Sequence, residues 1–508
     1  MSIDDHMAAA PPLPQGIRTS IGIPGLDGIW GGGLIPGRLY LVEGAPGAGK
    51  TTLGLQFLLE GRARGERGLF ITLSETAEEL EAVAVSHGWS LNGIDLFELT
   101  SAENLSSPDR EMTLLHPWEV ELGETMKLIT EEADRTTPTR VVFDSVSELR
   151  LLAEEPLRFR RQVLALKQFF AGRKATVLLL DELTSNSNGR DLQLLSLSHG
   201  VIRLERLTLD FGAPHRRLEI MKMRGSTYRE GWHDYVVRTG GIEAFPTLIA
   251  AEHVVPFISE PVPSGVAELD ALLDKGPLRG TSTLVTGPSG SGKSTLALQY
   301  VWAAAERGEH CVIYEFDERV GTLLTRSAKL GLDLQPHIET GIVALRQVDP
   351  AQIAPGEFAH IIRKEVEEKA ARLVVIDSLN GYLSAMAQEK QLVLRMHELL
   401  SYLNQQGVLT LLLNPQHGAF SGSQSSLELS YLADTVVLLQ FFEANGRVRK
   451  ALSIIKNRGG AHEDRIREYR IDAHGLRVGE PLTGFRGVLT GTPAYIGPLL
   501  EERSVQGA

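Results

Sequence analysis

The chain has 508 residues, 43% hydrophobic and 23% charged, the composition of ordinary folded protein and enough for about two to four domains. Its single cysteine, Cys311, excludes a disulfide framework and any cysteine-based zinc module, and it fits a reducing, cytoplasmic setting. A formal charge of −13 leaves no overall field for nucleic acid, and no apolar run approaches the roughly 20 residues of a membrane helix.

Residues 1–15 carry acids where a signal peptide has lysines, and their Ala/Pro bias predicts a disordered lead-in. A first domain is expected over 16–246. In it the short runs LYLVEG, GLFITL, RVVFD and TVLLLD alternate with helical stretches such as TLGLQFLLEGRARG. Apolar strands separated by helices imply an α/β fold, a mostly parallel sheet with helices on both faces. Residues 247–262 supply prolines and little periodicity, and are expected to be a linker.

The chain then repeats itself. GRLYLVEGAPGAGKTTLGLQFLLEGRARGERGLFITLSE, from Gly37, aligns with RGTSTLVTGPSGSGKSTLALQYVWAAAERGEHCVIYEFDE, from Arg279. Further on, RVVFDSVSEL pairs with RLVVIDSLNGY, TVLLLDE with LTLLLNP, and KMRG with KNRG, in the same order. The period is that of a whole domain, so this is a duplication and not a solenoid. The second domain is expected over 263–493, with a short tail at 494–508.

Each copy holds one G-x-x-x-x-G-K-[ST] loop, Gly44-Ala45-Pro46-Gly47-Ala48-Gly49-Lys50-Thr51 and Gly287-Pro288-Ser289-Gly290-Ser291-Gly292-Lys293-Ser294. Glycines let such a loop wrap so that successive N–H groups face phosphate oxygens, and the following helix, entered through Thr52 or Thr295, adds its positive end. Lys50 and Lys293 are expected on the β- and γ-phosphates of ATP, and the hydroxyls of Thr51 and Ser294 on Mg²⁺. Two matches in one repeated strand–helix context leave no room for an accidental glycine-rich turn.

Asp144 and Asp377 end apolar strands and precede a serine, where a carboxylate holds Mg²⁺ through its water shell. An N-cap for the next helix is the plainer alternative. Glu75 in LSET and Asp317-Glu318 in EFDE end the strand after the loop helix, where an acid can orient the attacking water; solvated strand-end acids are the plainer alternative. The two sites therefore differ, the second having adjacent carboxylates. Lys222 and Arg224, and Lys456 and Arg458, repeat late in each copy. The residues alone leave open whether these reach an ATP on a neighbouring subunit, as arginine fingers do, or form a basic hairpin on a solvated edge.

With these motifs the chain, from about 16 to about 496, resembles the circadian clock KaiC family within the RecA-like ATPases. The resemblance rests on the duplicated P-loops, the Asp-Ser strand ends, the turns Gly88-Trp89 and Gly331-Leu332, and the K-x-R-G pairs. It implies two tandem RecA-like domains, a homo-hexamer with ATP at the subunit interfaces, Lys222, Arg224, Lys456 and Arg458 as trans contacts, and Glu75 with Asp317 or Glu318 as the bases. A KaiB-like partner and serine/threonine autokinase and autophosphatase activity in the second domain are implied as well. Where the family carries adjacent Ser and Thr, this chain has Ser430 and Tyr431, so the phospho-acceptor is Ser430 or Tyr431; a Ser/Gly-rich loop around AFSGSQSSLELS is the plainer reading. The short tail after Thr492 and Leu330, at the position of an adenine-stacking aromatic, depart from the family and argue against a KaiA-type partner and a daily rhythm. A RecA- or DnaB-like DNA motor is the alternative; the doubled domain and the acidic balance argue against it.

Overall fold

Parallel strands buried on both faces need apolar side chains in both directions, and the strands of this chain have them. The computed structural model describes residues 17–99, 117–153, 155–183, 192–208, 212–384, 392–416, 430–444, 446–489 and 494–496. The lead-in, nearly all of the tail and the Ser/Gly-rich loop before Ser430 lie outside the described residues. Two compact units are present, Met1–Thr247 and Leu248–Ala508. Leu248, Ala250 and Phe257, in the stretch expected as a linker, pack on the second unit.

In the first unit the strands are β1 (Leu39–Gly44), β2 (Gly68–Thr72), β3 (Ile94–Glu98), β4 (Arg140–Asp144), β5 (Thr176–Glu182), β6 (Gly200–Leu207), β7 (His215–Met223), β8 (Trp232–Arg238) and β9 (Gly241–Phe245). They form one nine-stranded sheet in the order β3-β2-β4-β5-β1-β6-β7-β8-β9. The second unit repeats it with β10 (Ser282–Pro288), β11 (Cys311–Glu315), β12 (Val343–Gln347), β13 (Leu373–Asp377), β14 (Leu409–Gln416), β15 (Thr435–Ala444), β16 (Arg447–Asn457), β17 (Arg467–Asp472) and β18 (Gly475–Pro481), ordered β12-β11-β13-β14-β10-β15-β16-β17-β18.

From β3 to β6, and from β12 to β15, every pairing is parallel. Successive residues of the central strands enter different cores: Tyr40 and Val42 one, Leu39 and Leu41 the other. Leu284 and Val285 divide in the same way, so helices cover both faces of each sheet. The last three strands of each sheet are antiparallel. Their one-sided alternation, as in HRRLEIMKM, is a weaker sequence signal than the continuous apolar runs.

The helix after the first P-loop, Lys50–Ala63, lies against β4 through glycine. A Cβ on Gly61 would stand 2.5 Å from Cδ of Arg140. Arg140 is fully buried, donates to the carbonyls of Ser20 and Phe57 at 2.6 and 2.8 Å, pairs with Glu66 and lies over the Phe57 ring. In the second copy the same two positions hold Ala304 and Leu373, an apolar pair in one core. Glycine at 61 is therefore the space for arginine at 140. Gly61→Ala is expected to lower first-unit stability by about 1–3 kcal/mol, read by denaturant melting. Adding Arg140→Leu, which imports the pair of the second unit, should recover part of that loss; a purely additive double variant would contradict the packing account.

Candidate functional site

Both P-loops bridge the carboxyl end of a central strand and a helix that begins at the lysine, β1 to Lys50–Ala63 and β10 to Lys293–Glu306. Gly49 and Gly292 enter the helix with φ of 98° and 107°, a conformation other residues rarely adopt. A Cβ on Gly292 would also stand 2.5 Å from Ile471 and collide with the antiparallel strands, whereas one on Gly49 would meet Val237 and Ile242 at ordinary contact distance, so there the backbone conformation alone calls for glycine.

Inside the loops, Lys50 donates to the carbonyls of Gly44 and Ala45 at 2.9 and 3.3 Å, and Lys293 to those of Gly287 and Pro288 at 2.9 Å each. Burial pushes both ammonium groups below the usual lysine range; carboxylates oppose this, Glu182 first for Lys50 and Asp377 for Lys293. Ala48 and Ser291 are fully buried, Thr52 and Thr295 nearly so, and Thr52 stands 3.4 Å from Nε2 of His87. The His87 ring packs on Trp89 at 4.8 Å; at the matching place Leu330 packs on the second core.

Parallel pairing brings the strand-end aspartates beside the loops. Thr51 donates its hydroxyl to Asp144 at 2.9 Å and Ser294 to Asp377 at 2.6 Å. Burial raises both carboxyls, and the hydroxyl bond is the largest opposing influence in each. One hydroxyl and one carboxylate make an oxygen donor pair suited to a hard divalent cation that keeps phosphate and water in its shell.

The acids lie in the turns beyond the strands, since β2 ends at Thr72 and β11 at Glu315. Glu75 is half-buried, one of its carboxylate oxygens has no hydrogen-bond partner among the described residues, and burial raises its pKa with Asp144 adding to the effect. In the second unit Asp317 accepts the Ser378 hydroxyl at 2.5 Å, while Glu318 pairs with Arg326 at 2.9 Å. The two adjacent acids thus have different surroundings.

The basic pairs stand at the other end of the sheet. Lys222 is opposite Val201, which is beside Leu41, three residues before Gly44. Lys456 is opposite Val436, which is beside Leu284, three residues before Gly287. At about 3.3 Å per residue that is roughly 10 Å from where each loop begins. Lys222 donates to Leu195 and Ser198 carbonyls and Arg224 to Ser196. Lys456 donates to the carbonyls of Ser430 and Ala433, at 2.8 and 2.6 Å, and Arg458 is 3.9 Å from Asp434. None of these cations turns toward the P-loop of its own unit. Ser430 lies at this same end, and Tyr431 beside it is exposed.

The family model described as "ATPase: KaiC" matches residues 19–248 and again 262–483. This chain belongs to the KaiC ATPase family. It is 27% identical to the circadian clock protein KaiC2 of Synechocystis sp., over 96% of this chain and 86% of that protein. It is 28% identical to the circadian clock oscillator protein KaiC of Parathermosynechococcus lividus, over 97% and 91%. The KaiC of Synechococcus elongatus is 27% identical over 93% and 91%. The family membership makes the chain an ATPase with two tandem domains. No helix among the described residues is long and apolar enough to cross a membrane.

Within this KaiC-family frame the two sites are built differently around one turn. Thr72 accepts the Glu75 N–H at 2.9 Å through its hydroxyl; at the equivalent place Glu315 accepts the Glu318 N–H at 3.0 Å through its carboxylate. Glu315 was not among the expected site residues. Its sequence signal is slight, a lone acid ending the apolar strand CVIYE where the first copy has threonine. It is 1% exposed and pairs across the sheet with Asp377. The first unit carries its extra carboxylates on another strand, Glu182, 4.0 Å from Lys50, and Asp181, where the second has Pro415 and Asn414.

Burial, with Asp377 adding to it, pushes the Glu315 carboxyl from 4.5 up to about 8. A carboxyl with a raised folded-state pKa keeps its proton in the folded chain and loses it in the unfolded one, so stability falls as pH rises between those values. Thermal melting of the nucleotide-free second unit should therefore shift downward from about pH 5 to about pH 8. Glu315→Gln should flatten that slope, and an unchanged slope would contradict the burial of this charge.

Proposed function

We propose that each ATP is shared between two copies of this chain, so that the working unit is a ring, a hexamer by the KaiC resemblance, with both tiers hydrolysing ATP. The observation that carries the reading is the placement of Lys222 with Arg224 and Lys456 with Arg458 at the sheet end remote from their own P-loops. These cations, Lys222, Arg224 and Lys456 turned to backbone carbonyls and Arg458 near Asp434, can meet the γ-phosphate held by an adjacent copy. The sequence relatives named as circadian clock proteins support a timing or signalling output. A KaiB-like partner and a cytoplasmic setting belong to the same proposal.

In this mechanism Lys50 and Lys293 leave the loop carbonyls for the β- and γ-phosphates. Thr51 with Asp144, and Ser294 with Asp377, would hold Mg²⁺, which neutralises phosphate charge when bound. Glu75 has a raised pKa and an oxygen without a partner among the described residues, both suited to orienting water and taking its proton. In the second unit Glu318 takes this role once released from Arg326, with Asp317 held by Ser378. The cations of the adjacent copy stabilise charge on the transferred phosphoryl group.

Autokinase activity, on Ser430 or on Tyr431, belongs to the same reading. Ser430 is tied through its carbonyl to Lys456, at the end remote from Gly287–Ser294 of its own unit. Phosphate would therefore pass to it from the ATP of an adjacent copy, the Ser430 oxygen attacking the γ-phosphorus and losing its proton to solvent as the bond from that phosphorus to the bridging oxygen breaks and ADP leaves.

Replacing Lys222 and Arg224 together by Ala should lower first-tier turnover by about 10³-fold, the scale of a lost arginine finger. That variant mixed with one carrying Lys50→Ala should regain first-tier activity, because each copy supplies what the other lacks. A mixture as silent as its components would exclude the shared site. Intact-mass measurement after incubation with ATP·Mg²⁺ should show one added phosphate, absent from Ser430→Ala. Mixing Ser430→Ala with Lys293→Ala should place it on the latter copy only.

A further inference from the structure

We propose that Tyr235 and Tyr469 are positioning residues of the two phosphate loops, each tethering a loop carbonyl from the antiparallel part of its sheet. The proposal deepens the nucleotide-binding reading of these loops and rests on it. Tyr235 lies in β8 and Tyr469 in β17, and both are 1% exposed. Tyr235 donates its hydroxyl to the Ala48 carbonyl at 2.5 Å, and Tyr469 donates to the Ser291 carbonyl. These carbonyls belong to the residues just before Gly49 and Gly292, the glycines that open the two helices.

A loop that gives its N–H groups to phosphate needs other donors for its carbonyls. Lys50 and Lys293 serve the carbonyls at the start of each loop. Those bonds compete with phosphate for the same ammonium. The tyrosine bonds do not, since a phenol buried in the core has no path to the ligand. Through both arrangements the tyrosine therefore holds the carbonyl end of the loop, and with it the left-handed glycine. Burial pushes both phenols well above the usual tyrosine range, which keeps them as donors. Val237 of β8 and Ile242 of β9 against Gly49, and Ile471 of β17 against Gly292, add apolar padding from the antiparallel strands. The same arrangement occurs in both units, although the surrounding residues have diverged.

Tyr235→Phe and Tyr469→Phe remove one hydroxyl and keep the ring. Each is made in a chain whose other site is disabled, by Lys293→Ala or Lys50→Ala respectively. Affinity is read by titration with a fluorescent ATP analogue and Mg²⁺, turnover by KM and kcat, and stability by melting without nucleotide. Loss of one buried hydrogen bond to the loop should raise Kd and KM about five- to tenfold, with kcat changed less than about twofold. A lowered melting temperature with unaltered Kd and KM would mean a merely structural tyrosine and overturn the assignment, as would no change at all. Failure of the unsubstituted chain to bind the analogue would overturn the nucleotide reading of the loops, and the tyrosine assignment with it.

Discussion

Both units depend on keeping the carbonyls of one glycine-rich loop hydrogen-bonded within the protein while its N–H groups are left for phosphate. The lysine serves the first carbonyls of the loop and a buried tyrosine serves a later one. The next residue along, Thr51 or Ser294, then locks the helix to the strand-end aspartate. Three contacts thus set loop, helix and carboxylate in one frame. An unsatisfied buried carbonyl costs about 1–3 kcal/mol, so none of these donors is easily dispensed with.

Duplication has preserved that frame and altered its surroundings. Gly61 with Arg140 in one copy answers to Ala304 with Leu373 in the other, a charged solution and an apolar one to the same gap. Around the acids, Thr72 and Glu315 make the same bond to the amide of the following glutamate with different chemistry. The second site accordingly concentrates carboxyl groups on β11 and its turn, where the first has the half-buried Glu75 and, on β5, Asp181 and Glu182. Two ATPase domains with unequal electrostatics follow from such drift.

Much of this was legible in the residues. Continuous apolar strands such as LYLVEG and RVVFD can belong only to a sheet covered on both sides, and two G-x-x-x-x-G-K-[ST] loops in a repeated context locate both clefts. Asp144 and Asp377 were visible because a lone acid ends an apolar run. The antiparallel strands were harder to see, since a half-exposed strand carries only an alternating pattern. Glu315 also ends an apolar run, but only two residues before the adjacent acids Asp317 and Glu318, which carried the site reading in its place; the two tyrosines have no local signature of what they face.

The sequence by itself determined the duplication, the fold class and the identity of the loops, because those follow from local pattern and from spacing along the chain. Only the tertiary structure decided which ends of the sheet the functional groups occupy. Strand register, which depends on contacts between segments far apart in the chain, places Lys222 and Lys456 three residues back from the loops. Register also sets Glu315 beside Asp377. Tyr235, 187 residues from Ala48 along the chain, reaches the loop only because the last strands fold back onto it.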